Sequence, residues 1–211
     1  MYTLPPNQAV SPERQRLINA RRNQQPPYRD TRALILRKSR SLLRHIDESL
    51  RRQLHALGAS ARFLTTDARS TPEIPSQSVD LIVTSPPFLN VVQYAADNWL
   101  RCWFNHIDAE EVARRITQVS RLEEWLEIME ACFREFYRIV KPGGWIAFEV
   151  GEVRNGRVRL DEHVAPIGEK AGFRCQAIVI NRQQFTKTSN IWGVQNNRKG
   201  TNTNRVVLFR K

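Results

Sequence analysis

The chain has 211 residues, enough for one well-buried domain with appended segments and too few for two. Lysine and arginine total 33 against 21 aspartates and glutamates, and the net charge of +12 makes nucleic acid the first partner to consider. No apolar run approaches the roughly 20 residues of a membrane span, and Pro5 and Pro6 stand where a signal peptide needs an apolar core, so a cytoplasmic location is expected.

Residues 1–30 are rich in Pro, Gln, Asn and Arg and poor in large apolar side chains. Such a segment cannot offset its ordering entropy, so it reads as a basic flexible arm with a short helix over Pro12–Arg22. Residues 31–211 read as one domain. Over Arg32–Leu57, Leu36, Leu43, Ile46, Leu50, Leu54 and Leu57 share one helical face, and Gly58 suits the end of that helix. The seven-residue spacing of four of these leucines fits a coiled coil, but the preferred reading is a helix docked on its own core. Ala61–Thr66 reads as a short strand ending at Asp67, and Val79–Thr84 as a buried strand running into Ser85.

Helical patterns follow at Val91–His106, Ala109–Arg121 and Leu122–Val140. The last carries the apolar stripe Leu122, Trp125, Leu126, Met129, Phe133, Phe136 and Val140, and Lys141-Pro142-Gly143-Gly144 ends it. A strand at Trp145–Val150, a helix at His163–Ala171, a strand at Phe173–Asn181, a polar loop and a strand at Arg205–Phe209 complete the chain. This alternation predicts an α/β fold: a mostly parallel sheet with helices on both faces, the last strand free to run antiparallel. Cys102, Cys132 and Cys175 are odd in number and set among apolar residues, which predicts reduced core thiols and neither disulfides nor a metal site. Glu149 and Glu152, which alternate near a strand end, read as solvated or paired with basic neighbours. Tyr94, Trp99, Trp103 and Phe104 fit a core-facing helix better than a platform for extrahelical bases.

Chemistry concentrates after Val79–Thr84. Two adjacent prolines fix the backbone and remove two amide donors, leaving carbonyls free at the carboxyl end of a strand, where open α/β sheets bind ligands. Ser85-Pro86-Pro87-Phe88 thereby offers a hydroxyl, a rigid carbonyl and a flat apolar surface, the parts needed to hold an exocyclic amino group.

Leu81-Ile82-Val83-Thr84-Ser85-Pro86-Pro87-Phe88 resembles the Ser/Asp/Asn-Pro-Pro-aromatic motif of amino-directed DNA methyltransferases, which have a Rossmann-like sheet and methylate N4 of cytosine or N6 of adenine. The leading Ser is nearer the cytosine branch, and Phe88 stands where Tyr is commonest. Asp67 matches the family's acidic position ahead of the catalytic strand, Lys141-Pro142-Gly143-Gly144 its turn before the next strand, and Asn190–Arg205 its C-terminal portion.

The resemblance implies DNA as partner and S-adenosyl-L-methionine as cofactor, bound near Asp67 and Thr84. Ser85, Pro86, Pro87 and Phe88 become the catalytic residues. Hydrogen bonds from the amine to Ser85 and the Pro86 carbonyl would draw its nitrogen toward sp³ character, while Phe88 stacks on the flipped base. The loop Arg182–Asn204, with Lys187, Asn196, Asn197, Arg198 and Lys199, is the candidate DNA contact, since amides read base edges and cations hold phosphate.

The family also uses a Phe-x-Gly-x-Gly loop to approach the cofactor, yet no two of the nine glycines here are separated by a single residue. An incomplete methyltransferase sheet is therefore expected. Three explanations stay open: a truncated remnant, one half of a split enzyme completed by a second polypeptide, or a variant that binds cofactor without the loop. A non-catalytic DNA-binding protein and an RNA base methyltransferase are the alternatives to a DNA-modifying enzyme.

Overall fold

A computed structural model describes residues 10–25, 27–87, 89, 94–153, 157–182 and 203–211, in two units that divide between Thr65 and Thr66. The first unit holds three helices: α1 (Pro12–Arg21), α2 (Thr31–Leu43) and α3 (Glu48–Ser60). The single helix expected over Arg32–Leu57 is two, because the Asp47 carboxylate accepts the Leu50 amide at 2.8 Å and starts a fresh N-terminus. Gly58 lies inside α3 and does not end it. No residue of α2 or α3 is buried.

In the second unit the sheet order is β1-β2-β5-β4, with β1 at Val79–Thr84, β2 at Val140–Val153, β4 at Arg174–Arg182 and β5 at Thr203–Arg210. A short β3 (Val158–Arg159) pairs with the end of β2. β1 and β2 are parallel, and β5 runs antiparallel to both β2 and β4, so three of the four long strands share a direction. Residues 61–66 form no strand. A strand requires a neighbour for its backbone groups, and among the described residues none pairs with that stretch.

Between the rungs Val79↔Val140 and Leu81↔Trp145, Lys141-Pro142-Gly143-Gly144 bulges out of the ladder. The turn read from sequence is thus an irregularity inside one long strand. Gly144 is required there, because a Cβ would lie 2.7 Å from Val140 Cγ1 and 3.0 Å from the Asp80 carbonyl.

The core forms on one face of this sheet. Helix α7 (Leu122–Ile139) buries Trp125, Met129, Phe133 and Phe136 of its apolar stripe, and α8 (Leu160–Lys170) packs so closely on β5 that a Cβ on Gly168 would meet the Phe209 ring at 2.2 Å. Phe133 of α7 is 0% exposed, with its ring 5.0 Å from Phe148 of β2 and 5.2 Å from Phe209 of β5. Deep in this core Arg205 donates to Asp161 at 3.0 Å. On the opposite face Leu81 and Val83 are 56% and 74% exposed, and no residue of β1 is buried, contrary to the buried strand expected at Val79–Thr84. Short helices α4 (Tyr94–Asp97), α5 (Trp99–Phe104) and α6 (Ala109–Arg115) stand where two longer ones were expected.

The segment leading into β1 is clamped to α7 by a charged network. Glu135 accepts from the Thr71 amide at 2.7 Å, the Thr71 hydroxyl at 2.5 Å and Arg138 at 2.6 Å. Arg138 in turn donates to the carbonyls of Thr71 and Ile74 at 2.9 and 3.0 Å. The Arg138 guanidinium, aided by Thr71, pulls the Glu135 carboxyl from its ordinary 4.5 down to about 2. A lowered carboxyl pKa stabilises the folded state above the unfolded value and loses that contribution as pH falls through the folded one. Glu135→Gln is accordingly expected to lower the melting temperature at pH 7. The gap from wild type should close as the pH is taken from 4.5 to 2, which thermal melts across that range will check.

Candidate active site

The parallel ladder brings β1 to its last rung at Thr84↔Phe148, and the chain leaves the sheet through Ser85-Pro86-Pro87. Two contacts pin this exit. The Trp125 indole, 3% exposed in the first turns of α7, donates its N–H to the Pro87 carbonyl at 2.8 Å, and Leu89 is buried in the core. A buried indole N–H needs an acceptor, and here it finds one across 38 residues of sequence. Trp125 reads from sequence only as one member of an apolar stripe. The signal that marks it out is an indole on an otherwise donor-free face.

With the Pro87 carbonyl engaged, the acceptors left open are those just before it. Ser85 is exposed, and neither its hydroxyl nor the Pro86 carbonyl has a hydrogen-bond partner among the described residues. Two acceptors on consecutive residues, carried by a proline-stiffened backbone, can receive both N–H groups of one amino group.

Other residues singled out by sequence lie elsewhere. Asp67 accepts the Arg69 amide at 2.9 Å and chelates its guanidinium, with contacts of 3.0 and 2.5 Å. Those bonds hold the Asp67 carboxyl below the usual range. The Cys132 thiol of α7 is pushed up to about 11 by burial, with a smaller push from Asp67. Among the described residues no hydrogen bond joins Asp67 to the Thr84–Pro87 segment. Thr84 is half-buried, and Phe88, Lys187, Asn196, Asn197, Arg198 and Lys199 lie outside the described residues.

The aromatic cluster is a correction: Trp103 is 69% exposed and Phe104 is exposed beside it, so α5 turns them to the surface and not to a core. Its short length leaves only Cys102 buried. Cys102 and Cys132 are buried free thiols and Cys175 is half-buried. Among the described residues no three His, Cys, Asp or Glu side chains gather as a metal site, and none forms a helix able to cross a membrane.

S-adenosyl-L-methionine needs backbone to approach it closely at a strand end, which glycines permit. Gly143 and Gly144 sit at the other end of β2 from Phe148, Gly168 packs on Phe209, and Gly151 is taken up in the β2–β5 ladder opposite Asn204. β1 is an edge strand, with no strand paired on its outer side among the described residues. The described residues do not by themselves fit the cofactor.

Residues 79–211 match the family described as DNA methylase, the N6 and N4 methyltransferases. The type II methyltransferase M.BglII of Bacillus subtilis is 27% identical over 144 residues, 65% of this chain and 31% of that protein. The type II methyltransferase M.MjaI of Methanocaldococcus jannaschii is 27% identical over 143 residues, 60% of this chain and 46% of that protein. The chain thus spans roughly a third to a half of the curated relatives it matches. Among solved structures, the PvuII DNA methyltransferase (cytosine-N4-specific) aligns at a TM-score of 0.40 and 14% identity, over 65% of this chain and 44% of that one. A Thermus thermophilus protein described as a DNA modification methylase, complexed with S-adenosyl-L-methionine, aligns at 0.41 and 22%, over 70% and 54%. Since the match from β1 to the last residue takes in more than half of its length, the chain belongs to the DNA methylase family of S-adenosylmethionine-dependent amino-methyltransferases.

Proposed function

We propose that this chain is the base-holding half of a DNA amino-methyltransferase of the restriction-modification kind, working in the cytoplasm on the exocyclic amine of a flipped base. The observation that carries the reading is the pair of open acceptors, the Ser85 hydroxyl and the Pro86 carbonyl, beside a Pro87 carbonyl already held by Trp125. An aryl amine is a weak nucleophile because its lone pair is delocalised into the ring. Two N–H bonds to Ser85 and Pro86 localise that pair on nitrogen and aim it along one direction, a contribution of orientation and electrostatics. Phe88 supplies the stacking surface for the flipped base, and Thr84 lies where base and cofactor meet. The Ser at the head of the motif supports N4 of cytosine as the target.

Bound S-adenosyl-L-methionine supplies an electrophilic methyl group. Because the described residues do not cradle it, a second polypeptide carrying a glycine-rich loop is the proposed completing partner, and Asp67 would turn to the cofactor only on release from Arg69. Lys187, Asn196, Asn197, Arg198 and Lys199 are proposed to contact DNA. A second reading, a DNA-binding protein without catalysis, is favoured by the missing cradle alone. Calorimetry separates the two: heat of S-adenosyl-L-methionine binding, to the chain alone or with its complement, argues for the enzyme.

Transfer of labelled methyl to duplex DNA by the completed enzyme is expected to fall at least about 100-fold in Ser85→Ala, the scale seen when one positioned transition-state hydrogen bond is removed. Equal incorporation by wild type and variant would sink the assignment of Ser85. Trp125→Phe keeps the apolar bulk and leaves the Pro87 carbonyl without its donor. It is expected to cost about 1 kcal/mol in urea unfolding and to lower kcat with little change in the slope m.

A further inference from the structure

At the end of the sheet opposite Ser85, the exposed face carries a row of side chains that base-holding does not use. Trp145 of β2 is cross-strand from Arg210 of β5, and Arg210 is cross-strand from Arg174 of β4. Directly paired residues share a face, so one aromatic ring and two guanidinium groups lie side by side across three strands. The Arg210 guanidinium stands 5.8 Å from the centre of the Trp145 ring, within reach of a cation–π contact. Arg174, Arg210 and Gln176 line a cleft of about 510 Å³ whose remaining wall is Gly143, Gly172, Phe173 and Lys211. The Trp145 rung is three residues back from Thr84 along β1, roughly 10 Å down the strands.

No acidic side chain lines this cleft, and neither Arg174 nor Arg210 has an ion-pair partner among the described residues. Lys211 is occupied, donating its ammonium to the carbonyls of Tyr137 and Val140 over the Tyr137 ring at 4.1 Å. Like charges directly opposite on neighbouring strands destabilise a sheet unless something neutralises them. Elsewhere in this unit the half-buried Arg138 and the buried Arg205 each meet a carboxylate.

We propose that the Arg174–Arg210–Gln176 cleft binds a phosphodiester of a nucleic-acid backbone, a second contact separate from the base site. Paired guanidinium groups bind phosphate oxygens through forked N–H bonds, and Gln176 adds an amide donor. The excess of 33 basic over 21 acidic residues favours a polyanion over a small phosphorylated ligand as its source. The inference uses the DNA reading only to choose the probe.

The test is duplex DNA binding by the full chain as a function of salt. Replacing both arginines with Gln is expected to weaken binding about tenfold at low salt and to flatten the slope of log K against log salt by roughly 1 to 2, since each phosphate contact contributes about 0.9. Arg174→Glu gives the same losses while supplying Arg210 with a cross-strand partner, so its melting temperature should stay level or rise. That keeps a folding defect from imitating the result. Unchanged affinity and slope in both variants overturn the proposal. So does binding of inorganic phosphate by wild type, lost in the variants, with the DNA slope unmoved. Ser85→Ala leaves the salt slope alone, so failure of the base site and failure of this cleft show in different measurements.

Discussion

Phe133 is the point on which the second unit turns. Its ring touches Phe136 on its own helix, Phe148 on β2, Phe209 on β5 and Phe173 ahead of β4, with centroids 5.0 to 6.2 Å apart. Tilted and edge-to-face rings of this kind fix orientation as well as burying area. They set α7 at one height and one rotation on the sheet. From there its first turns reach Pro87 through Trp125, and its last turns reach the segment before β1 through Glu135 and Arg138. Both ends of β1 are therefore referenced to a single helix, and Ser85 inherits its position from an aromatic contact deeper in the core.

The division of labour between the sheet faces follows from this packing. On the face under α7 and α8, Ile146, Phe148, Val150, Val207 and Phe209 are buried together. On the other, apolar and charged side chains of three strands remain at the surface, a pattern expected of an antiparallel sheet with one wet face and unusual for a doubly covered one. The two curated relatives are roughly two to three times as long as the stretch they share with this chain.

Much of this is legible in the sequence wherever periodicity and burial agree. Six of the seven stripe residues lie on α7 and Val140 opens β2, and the closing strand at Arg205–Phe209 lies where the pattern puts it, because α7, β2 and β5 each bury a face against neighbours in the same unit; β1 also forms at Val79–Thr84, although none of its residues is buried. Ala61–Thr66 fails for the converse reason: its composition suits a strand, but pairing is supplied by other segments and none is at hand. The pattern over Arg32–Leu57 reads straight through Asp47, because the 3.6-residue spacing continues past a residue whose capping role is local. Trp103 and Phe104 mislead by size, since large aromatic side chains are core residues only where a helix is long enough to be held down. The Ser-Pro-Pro run is readable because its chemistry is contiguous. The Trp125 anchor is not, since it depends on α7 crossing the exit of β1.

The outer edge of β1 has a consequence for the molecule as a solute. Leu81 and Val83 alternate along a strand whose outward amides and carbonyls have no neighbouring strand among the described residues, the arrangement that templates edge-to-edge stacking between chains. One feature opposes it: Asp80, on the same strand, keeps an 80% exposed carboxylate even while paired with Lys141. A single charge beside the apolar run of a short strand is a gatekeeper of the kind that natural sheets use. Neutralising Asp80 would leave the apolar side chains of this edge with less charge to keep a second copy of the strand away.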